Sequence, residues 1–501
     1  MAINFQDSYE SLGEFTPPPD QLSGDLSGDR ADDRSSDGLG TTLETIAADY
    51  QEGFAHRRFK AAFVLTVSWG LVFWLYQVSW GSSAVIALTS LLTVQAVRLV
   101  KARPHPLPLP LSDADCLTAP TIALVGAAKN EEMVIEALVQ QLLQVDYPPE
   151  RSEIWIVDDN SNDRTPEILH RLQQEYPRLK VLRRSDEEAK GGKSGALNAV
   201  LTQTNSDVVA VFDADAQIPA DMVRQVIPLF QQSPQVGAVQ VRKAICNSGL
   251  NFWTKGQSTE MMLDAFFQQQ RISYTGIGEL RGNGQFIRRT ALRQCGNFNE
   301  ETITDDLDLT LRLHLNRWDI EFCLHPGVGE EGVTGVKGLW NQRNRWAEGG
   351  YQRYLDYWRL ILQNRMGTLK TIDLVSFWII QYLLPSIAVP DLCLALLRHR
   401  LPILTPISGL ALSLTVTGLF VGVGRVYRVS HAVLWESEPS VQSVPKEPIV
   451  DRVVKVFRGF VYMLHWFAIM GFTILRMSVL PKRLKWVKTV HYGTVYPLQK
   501  G

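Results

Sequence analysis

Val208-Val209-Ala210-Val211-Phe212-Asp213-Ala214-Asp215 is a run of five apolar residues, three of them valine, that passes straight into two carboxylates. The run has the length of a strand covered on both faces and is short for a buried helix. Two carboxylates two residues apart at a strand end can share one hard cation whose other ligands are diphosphate oxygens and water. That arrangement suits Mg²⁺ or Mn²⁺. Asp-x-Asp alone recurs by chance, so its weight comes from the strand before it and from Ile218-Pro219 after it.

Upstream, the same alternation repeats. Thr121–Ala127 reads as a strand and Glu132–Leu143 as a helix. Ile154–Val157 is a second strand, Thr165–Tyr176 a helix, Val181-Leu182 a third strand, and Gly195–Leu201 opens another helix. Strands alternating with helices predict an α/β domain over residues 118–345, a mostly parallel sheet flanked by helices with right-handed crossovers. In such sheets ligands gather beyond the carboxyl ends of the strands, where the polar motifs fall.

Three more polar sites accompany the first. Asp158-Asp159-Asn160-Ser161-Asn162-Asp163 follows the second strand and can accept hydrogen bonds from a base or ribose, although Asp and Asn there also cap the helix at Thr165. Thr304-Asp305-Asp306-Leu307-Asp308 heads an amphipathic helix. A carboxylate there can act as general base or simply favour the helix dipole. Gln342-Arg343-Asn344-Arg345-Trp346 sets two arginines beside an aromatic, which suits a diphosphate and a sugar face or, equally, a basic belt at a membrane.

Beyond this domain the composition changes. Lys+Arg number 50 against 52 Asp+Glu, a formal net charge of -2 over 501 residues, which argues against a nucleic-acid partner. The five cysteines are scattered with no Cys-x-x-Cys pair, so neither a disulfide framework nor a zinc site is expected. Residues 1–55 are polar, read as disordered, and lack the basic and apolar regions of a signal peptide. Residues 56–103 read as a transmembrane hairpin: Arg57-Arg58 and Lys60 stand at one outer end, Arg98 and Lys101 at the other, and Trp69, Trp74 and Trp80 suit the interface. A proline-rich linker spans 104–117. Residues 346–370 read either as an interfacial helix with Tyr351, Tyr354 and Tyr357 toward headgroups or as a core-packed one. Residues 371–480 carry apolar stretches at 374–397, 403–423 and 459–475, and 481–501 form a basic tail. Basic flanks place the catalytic domain and both tails in the cytoplasm. Three full C-terminal spans would put the last tail outside, so one of the stretches must lie in the interface or re-enter.

In this order, the four sites resemble the D, D-x-D, T-x-D, Q-x-x-R-W pattern of the processive-type family-2 glycosyltransferases, which include cellulose, chitin and hyaluronan synthases. The match covers about residues 118–365. Asn130-Glu131, Gly192-Lys193-Ser194-Gly195-Ala196-Leu197-Asn198 and the glycine segment 282–289 stand where the family has corresponding loops. The resemblance implies a glycosyltransferase A-type nucleotide-sugar domain inserted between transmembrane helices. It makes Asp159 a uracil or ribose contact, Asp213 and Asp215 the metal and diphosphate pair, and Asp306 the catalytic base, with Asp305 and Asp308 as further candidates. Gln342, Arg345 and Trp346 hold the diphosphate and frame the acceptor, and Lys193 contacts the diphosphate.

The layout, one hairpin, one catalytic domain and a brief apolar block, resembles the cyanobacterial β-monoglucosyldiacylglycerol synthases. That likeness implies UDP-glucose as donor, 1,2-diacylglycerol as acceptor, inversion at the sugar, and a cell or thylakoid membrane as location. A processive polysaccharide synthase, and a non-catalytic nucleotide-binding receptor or scaffold, are the alternatives. Oligomeric state is left open.

Overall fold

A computed structural model describes residues 50, 52–436 and 447–480, so the polar start and the basic tail read above lie almost wholly outside the described residues. At the centre is a seven-stranded sheet of β1 (Ile122–Ala128), β2 (Ser152–Asp158), β3 (Leu179–Arg183), β4 (Val208–Phe212), β5 (Val236–Ile245), β6 (Gln285–Arg288) and β7 (Asp319–Glu330). Their spatial order is β3-β2-β1-β4-β6-β5-β7. Every neighbouring pair is parallel except those made by β6, which runs against both β4 and β5. The sheet is therefore mixed, mostly parallel, as the alternation of elements implied. The four strands expected from sequence are present.

That one reversal shapes the site. Because β6 starts beside the end of β4, with Val211 opposite Gln285, the loop before it lies against the Asp-x-Asp. Gly284 N–H donates to Val211 O at 3.0 Å and Asp213 N–H to Asn283 Oδ1 at 3.3 Å. Gly282 and Gly284 have φ of 83° and 69°, left-handed values that glycine adopts without a Cβ penalty. A Cβ on Gly284 would meet Val328 at 2.7 Å.

Helices α1 (Arg57–Leu75) and α2 (Gly81–Lys101) precede the sheet. Around it lie α3 (Ile135–Leu143), α4 (Thr165–Glu175), α5 (Gly192–Leu201), α6 (Met222–Gln232), α7 (Phe252–Thr275) and α8 (Asp305–Leu315). The core follows the two-residue period of the strands. Ile122, Leu124, Ile154, Val208 and Phe212 face one layer with Leu138 and Ile227. Ala123, Val125, Val157, Val209 and Val211 face the other with Leu197, Val200 and Leu309.

Then come α9 (Val336–Leu362), α10 (Thr368–Trp378), a π turn at Ile379–Leu383, α11 (Leu384–Leu397), α12 (Thr405–Glu436), α13 (Ile449–Met463) and α14 (His465–Val479). Among the described residues, five segments are long and apolar enough to cross a membrane: 57–75, 81–101, 368–397, 405–430 and 449–479. Phe63 and Leu91 are each 69% exposed, so α1 and α2 keep apolar outer faces instead of closing into a buried soluble hairpin. Each packs mainly on other helices, α1 on α14 and α11, α2 on α12.

Tyr351 and Tyr357 are buried, Tyr357 donating to Asp308 at 2.7 Å, so these two pack into the core, whereas Trp340 and Trp358 on the same helix are exposed. The apolar stretch 459–475 straddles two helices that meet at Leu464. Of these, α13 exposes Val450, Val453 and Phe457, while Arg452 pairs with Glu447.

Candidate active site

Strand β4 delivers Asp213 and Asp215 to the carboxyl edge. Asp213 receives Lys193 Nζ at 2.5 Å, and Asp215 Oδ2 accepts the Glu331 N–H at 2.9 Å. Lys193 stands in the first turn of α5, entered through Gly191 and Gly192 at φ of 74° and 56°. Its N-terminal amides and the Lys193 ammonium lie on the side where a diphosphate would meet an Asp-held cation. Burial works against that ammonium, but Asp213 and Asp305 outweigh it and raise its pKa.

Asp306 is the second residue of α8, two positions after the N-cap Thr304, and its Oδ1 accepts the Leu307 N–H at 2.8 Å. A Cβ on Gly282 would stand 3.3 Å from its Oδ2, so the missing side chain there keeps access to the carboxylate. Burial and the adjacent Asp305 push the Asp306 pKa up to about 6, while the Leu307 amide, Lys193 and Arg281 pull it down. A carboxylate tuned toward neutrality is what proton abstraction near pH 7 requires. Asp308 is in a different position: Arg312 at 2.7 Å, Asn299 at 3.0 Å and Tyr357 at 2.7 Å occupy its oxygens. That leaves it no oxygen for a substrate hydroxyl.

Helix α9 brings Gln342, Arg345 and Trp346 to the same place. Burial lowers the Arg345 pKa, opposed by Asp213, Asp306 and Asp305, which puts its guanidinium among the acidic groups. Two cations lie over the Trp346 ring, Arg343 at 4.0 Å and Lys243 at 5.3 Å from its centre. Lys243 is paired with Glu330 at 2.6 Å and Arg343 with Glu260 at 2.5 Å. Lys243, Glu330 and Glu260 were not found from sequence. A lone lysine in the ten-residue strand β5 was the signal available.

A cavity of about 900 Å³ is lined by Lys193, Asp213, Asp215, Asp306, Gln342, Arg345 and Trp346 together. Asp159 is at the same edge of the sheet but does not line it. Only 2% exposed, it accepts from Arg184 at 2.7 Å, while its Oδ2 lacks a hydrogen-bond partner and has Lys129 at 3.6 Å.

The sequence family described as "Glycosyltransferase like family 2" matches residues 119–349. β-Monoglucosyldiacylglycerol synthase from Nostoc sp. is 53% identical over 91% of this chain and 93% of its own length. The protein of that name from Synechocystis sp. is 53% identical over 89% and 91%. The chain belongs to the family-2 glycosyltransferases. Poly-beta-1,6-N-acetyl-D-glucosamine synthase from Staphylococcus epidermidis is 28% identical to the enzyme over 49% of this chain and 58% of its own length. A mannosyltransferase from Pyrobaculum calidifontis, solved with GDP-Man and Mn²⁺, is 19% identical, covering 81% of this chain and 99% of its own with a TM-score of 0.49.

The residues present fit a divalent ion. Among the described residues no group of three or more His, Cys, Asp or Glu could enclose a metal. Asp213 and Asp215 at the cavity wall suit an oxygen-liganded cation that would complete its shell with diphosphate and water.

Proposed function

We propose that the enzyme transfers glucose from UDP-glucose to 1,2-diacylglycerol with inversion, giving β-monoglucosyldiacylglycerol at the cytoplasmic face of a cell or thylakoid membrane. The observation that carries this reading is the 53% identity to synthases of that name, which extends over 91% of the chain and so includes the apolar blocks on both sides of the catalytic domain. Likeness to the polymer-forming synthases, by contrast, covers half of the chain.

In this reading Asp306 accepts the proton of the acceptor hydroxyl as that oxygen attacks the anomeric carbon and the bond to UDP breaks. Asp213 and Asp215 would hold a Mg²⁺ or Mn²⁺ ion, which would supply positive charge beside the diphosphate. Lys193 and Arg345 add fixed positive charge on the same side. Gln342, whose Oε1 is buried without a hydrogen-bond partner, and the clamped Trp346 orient the acceptor and sugar. Asp159, buried at the same edge of the sheet and ion-paired with Arg184 and Lys129, serves the uridine end of the site by holding those two cations in place. Basic residues Arg57, Arg58, Arg98 and Lys101 at the outer ends of α1 and α2 support the cytoplasmic placement.

The test is direct. Membranes carrying the enzyme, given labelled UDP-glucose, diacylglycerol and Mg²⁺, yield a chloroform-soluble β-glucosyl lipid. Label retained in an insoluble polymer would replace this reading with a polysaccharide synthase, and donor binding without any product would replace it with a receptor.

A further inference from the structure

The cavity does not stop at the acidic groups. From Asp306 its wall passes to Gly282 and Arg281, then along α7 to the inner faces of α2, α10 and α12. Arg281 bonds Glu279 and Asp264, each at 2.7 Å. Arg271 bonds Glu279 at 3.0 Å and Asp373 at 2.8 Å, and its guanidinium stacks 4.4 Å from the Phe377 ring. Arg353 reaches Glu279 at 3.2 Å. Together these form a collar of three guanidiniums and three carboxylates with no net charge.

Past the collar the lining is mostly apolar, with Leu92, Leu99, Phe267, Ile380, Leu414 and Met463, and Gln95, Gln381 and Thr415 stand among them. The first two and Leu414 are on helices whose opposite faces expose Leu91, Val94 and Leu412, so the apolar limb is the inside of segments long enough to cross a bilayer. One further detail points to a ligand. Arg353 Nε and Nη1 and Arg271 Nη2 are buried without hydrogen-bond partners, on residues 2% and 3% exposed. Buried donors left unmade are costly, and although the Tyr354 and Tyr382 rings flank the Arg353 guanidinium, a ligand oxygen entering the cavity would supply the acceptors that these donors lack.

We infer that the collar and the apolar limb are the seat of the acceptor, a neutral glycerolipid with two acyl chains. This deepens the proposed reaction and rests on it for the identity of the hydroxyl transferred to. Ester carbonyls accept from Arg353 and Arg271, the acyl chains lie among Leu92, Phe267, Ile380 and Leu414, and the free hydroxyl is turned toward Asp306. A collar whose charges already cancel gains nothing from a phosphate, so it selects an uncharged head over an anionic phospholipid.

The experiment uses full-length enzyme in phosphatidylcholine vesicles with a diacylglycerol carrying a photoactivatable acyl chain. Crosslinks are expected within 92–99 and 411–415, displaced by excess dioleoylglycerol but not by phosphatidylglycerol. Arg353→Met should cut this labelling at least tenfold with UDP-glucose binding unchanged, and Arg353→Lys should regain part of it. Should Arg353→Met fail to fold, Ala411→Phe, which narrows the apolar limb, is expected to reduce the labelling several-fold by itself. Crosslinks confined to the outward Leu91, Val94 and Leu412, or displaced equally by phosphatidylglycerol, would overturn the inference. Labelling in the limb without glucosyl transfer would uphold the seat and refute the proposed reaction instead.

Discussion

Two groups of carboxylates share one cavity and meet opposite fates. At the rim, Asp213, Asp215, Asp305 and Asp306 collect like charges, and burial together with Asp305 pushes the Asp306 pKa up to about 6. In the collar, Glu279 is at least as deeply buried, and burial alone would raise its pKa too. There Arg353, Arg271 and Arg281 outweigh desolvation and hold it well below the usual carboxylate range. Burial therefore does not distinguish the two places; the supply of guanidinium partners does. In the collar three guanidiniums match three carboxylates, whereas at the rim four carboxylates share Lys193 and Arg345, an excess of negative charge that suits a cation or a proton from a substrate.

Breaking the rim should cost rate, and removing the carboxylate shared by the collar's guanidiniums should cost stability. The largest effect is expected for Asp306→Asn, which should slow transfer by about 10²–10⁴ while donor affinity holds, as for a lost general base. Turnover and donor titration read this together, and retained turnover would move the base to Asp305. Asp215→Ala comes next. It should abolish the metal dependence of UDP-glucose binding in calorimetry, removing part of a stabilisation worth several kcal/mol. Metal-dependent binding that survives would detach Asp215 from the ion. In the collar, Glu279→Gln leaves three buried guanidiniums short of their shared partner and should lower unfolding stability by about 3–5 kcal/mol. If thermal unfolding of the variant in detergent matches the wild type, the collar is not the stabilising element contrasted with the rim.

How far the sequence revealed each group follows from where its members lie. Asp213 and Asp215 were legible because an apolar strand and its two carboxylates are contiguous. Strands β5 and β7 escaped notice because Gln240, Arg242 and Lys243 in one, and Asp319, Glu321, His325 and Glu330 in the other, interrupt any apolar run. Their pairing is long-range, and without it Lys243 and Glu330 could not be placed beside Trp346. The collar left no local trace at all. Asp264, Glu279, Arg353 and Asp373 come from three helices and a loop, each an ordinary surface charge until the chain folds. Asp305, Asp306 and Asp308 could not be ranked by spacing either. What separates them is that Arg312, Asn299 and Tyr357 converge on Asp308, and Gly282 lies open against Asp306. The aromatic spacing of α9 was equally mute, since lipid and protein interiors present the same apolar surface to a tyrosine.

The smallest effect gives the finest test of the contrast. A general base works only when ionised, so kcat/KM should fall below a limb set by the free-enzyme pKa of Asp306, near 6. The sign is fixed: the raised pKa means that acidification protonates the base early, and each pH unit below the limb costs roughly tenfold. Asp305 is the largest charge raising that value, so Asp305→Asn should ionise Asp306 more easily. The acid limb should then move to lower pH by about one unit or less, with the plateau rate little changed, because nothing is removed from the reacting atoms. Glu279→Gln takes away a carboxylate that already has its cations and should leave the limb where it was. A pH profile in which Asp305→Asn leaves the limb fixed, or moves it upward, would mean that crowding at the rim is not what tunes the base.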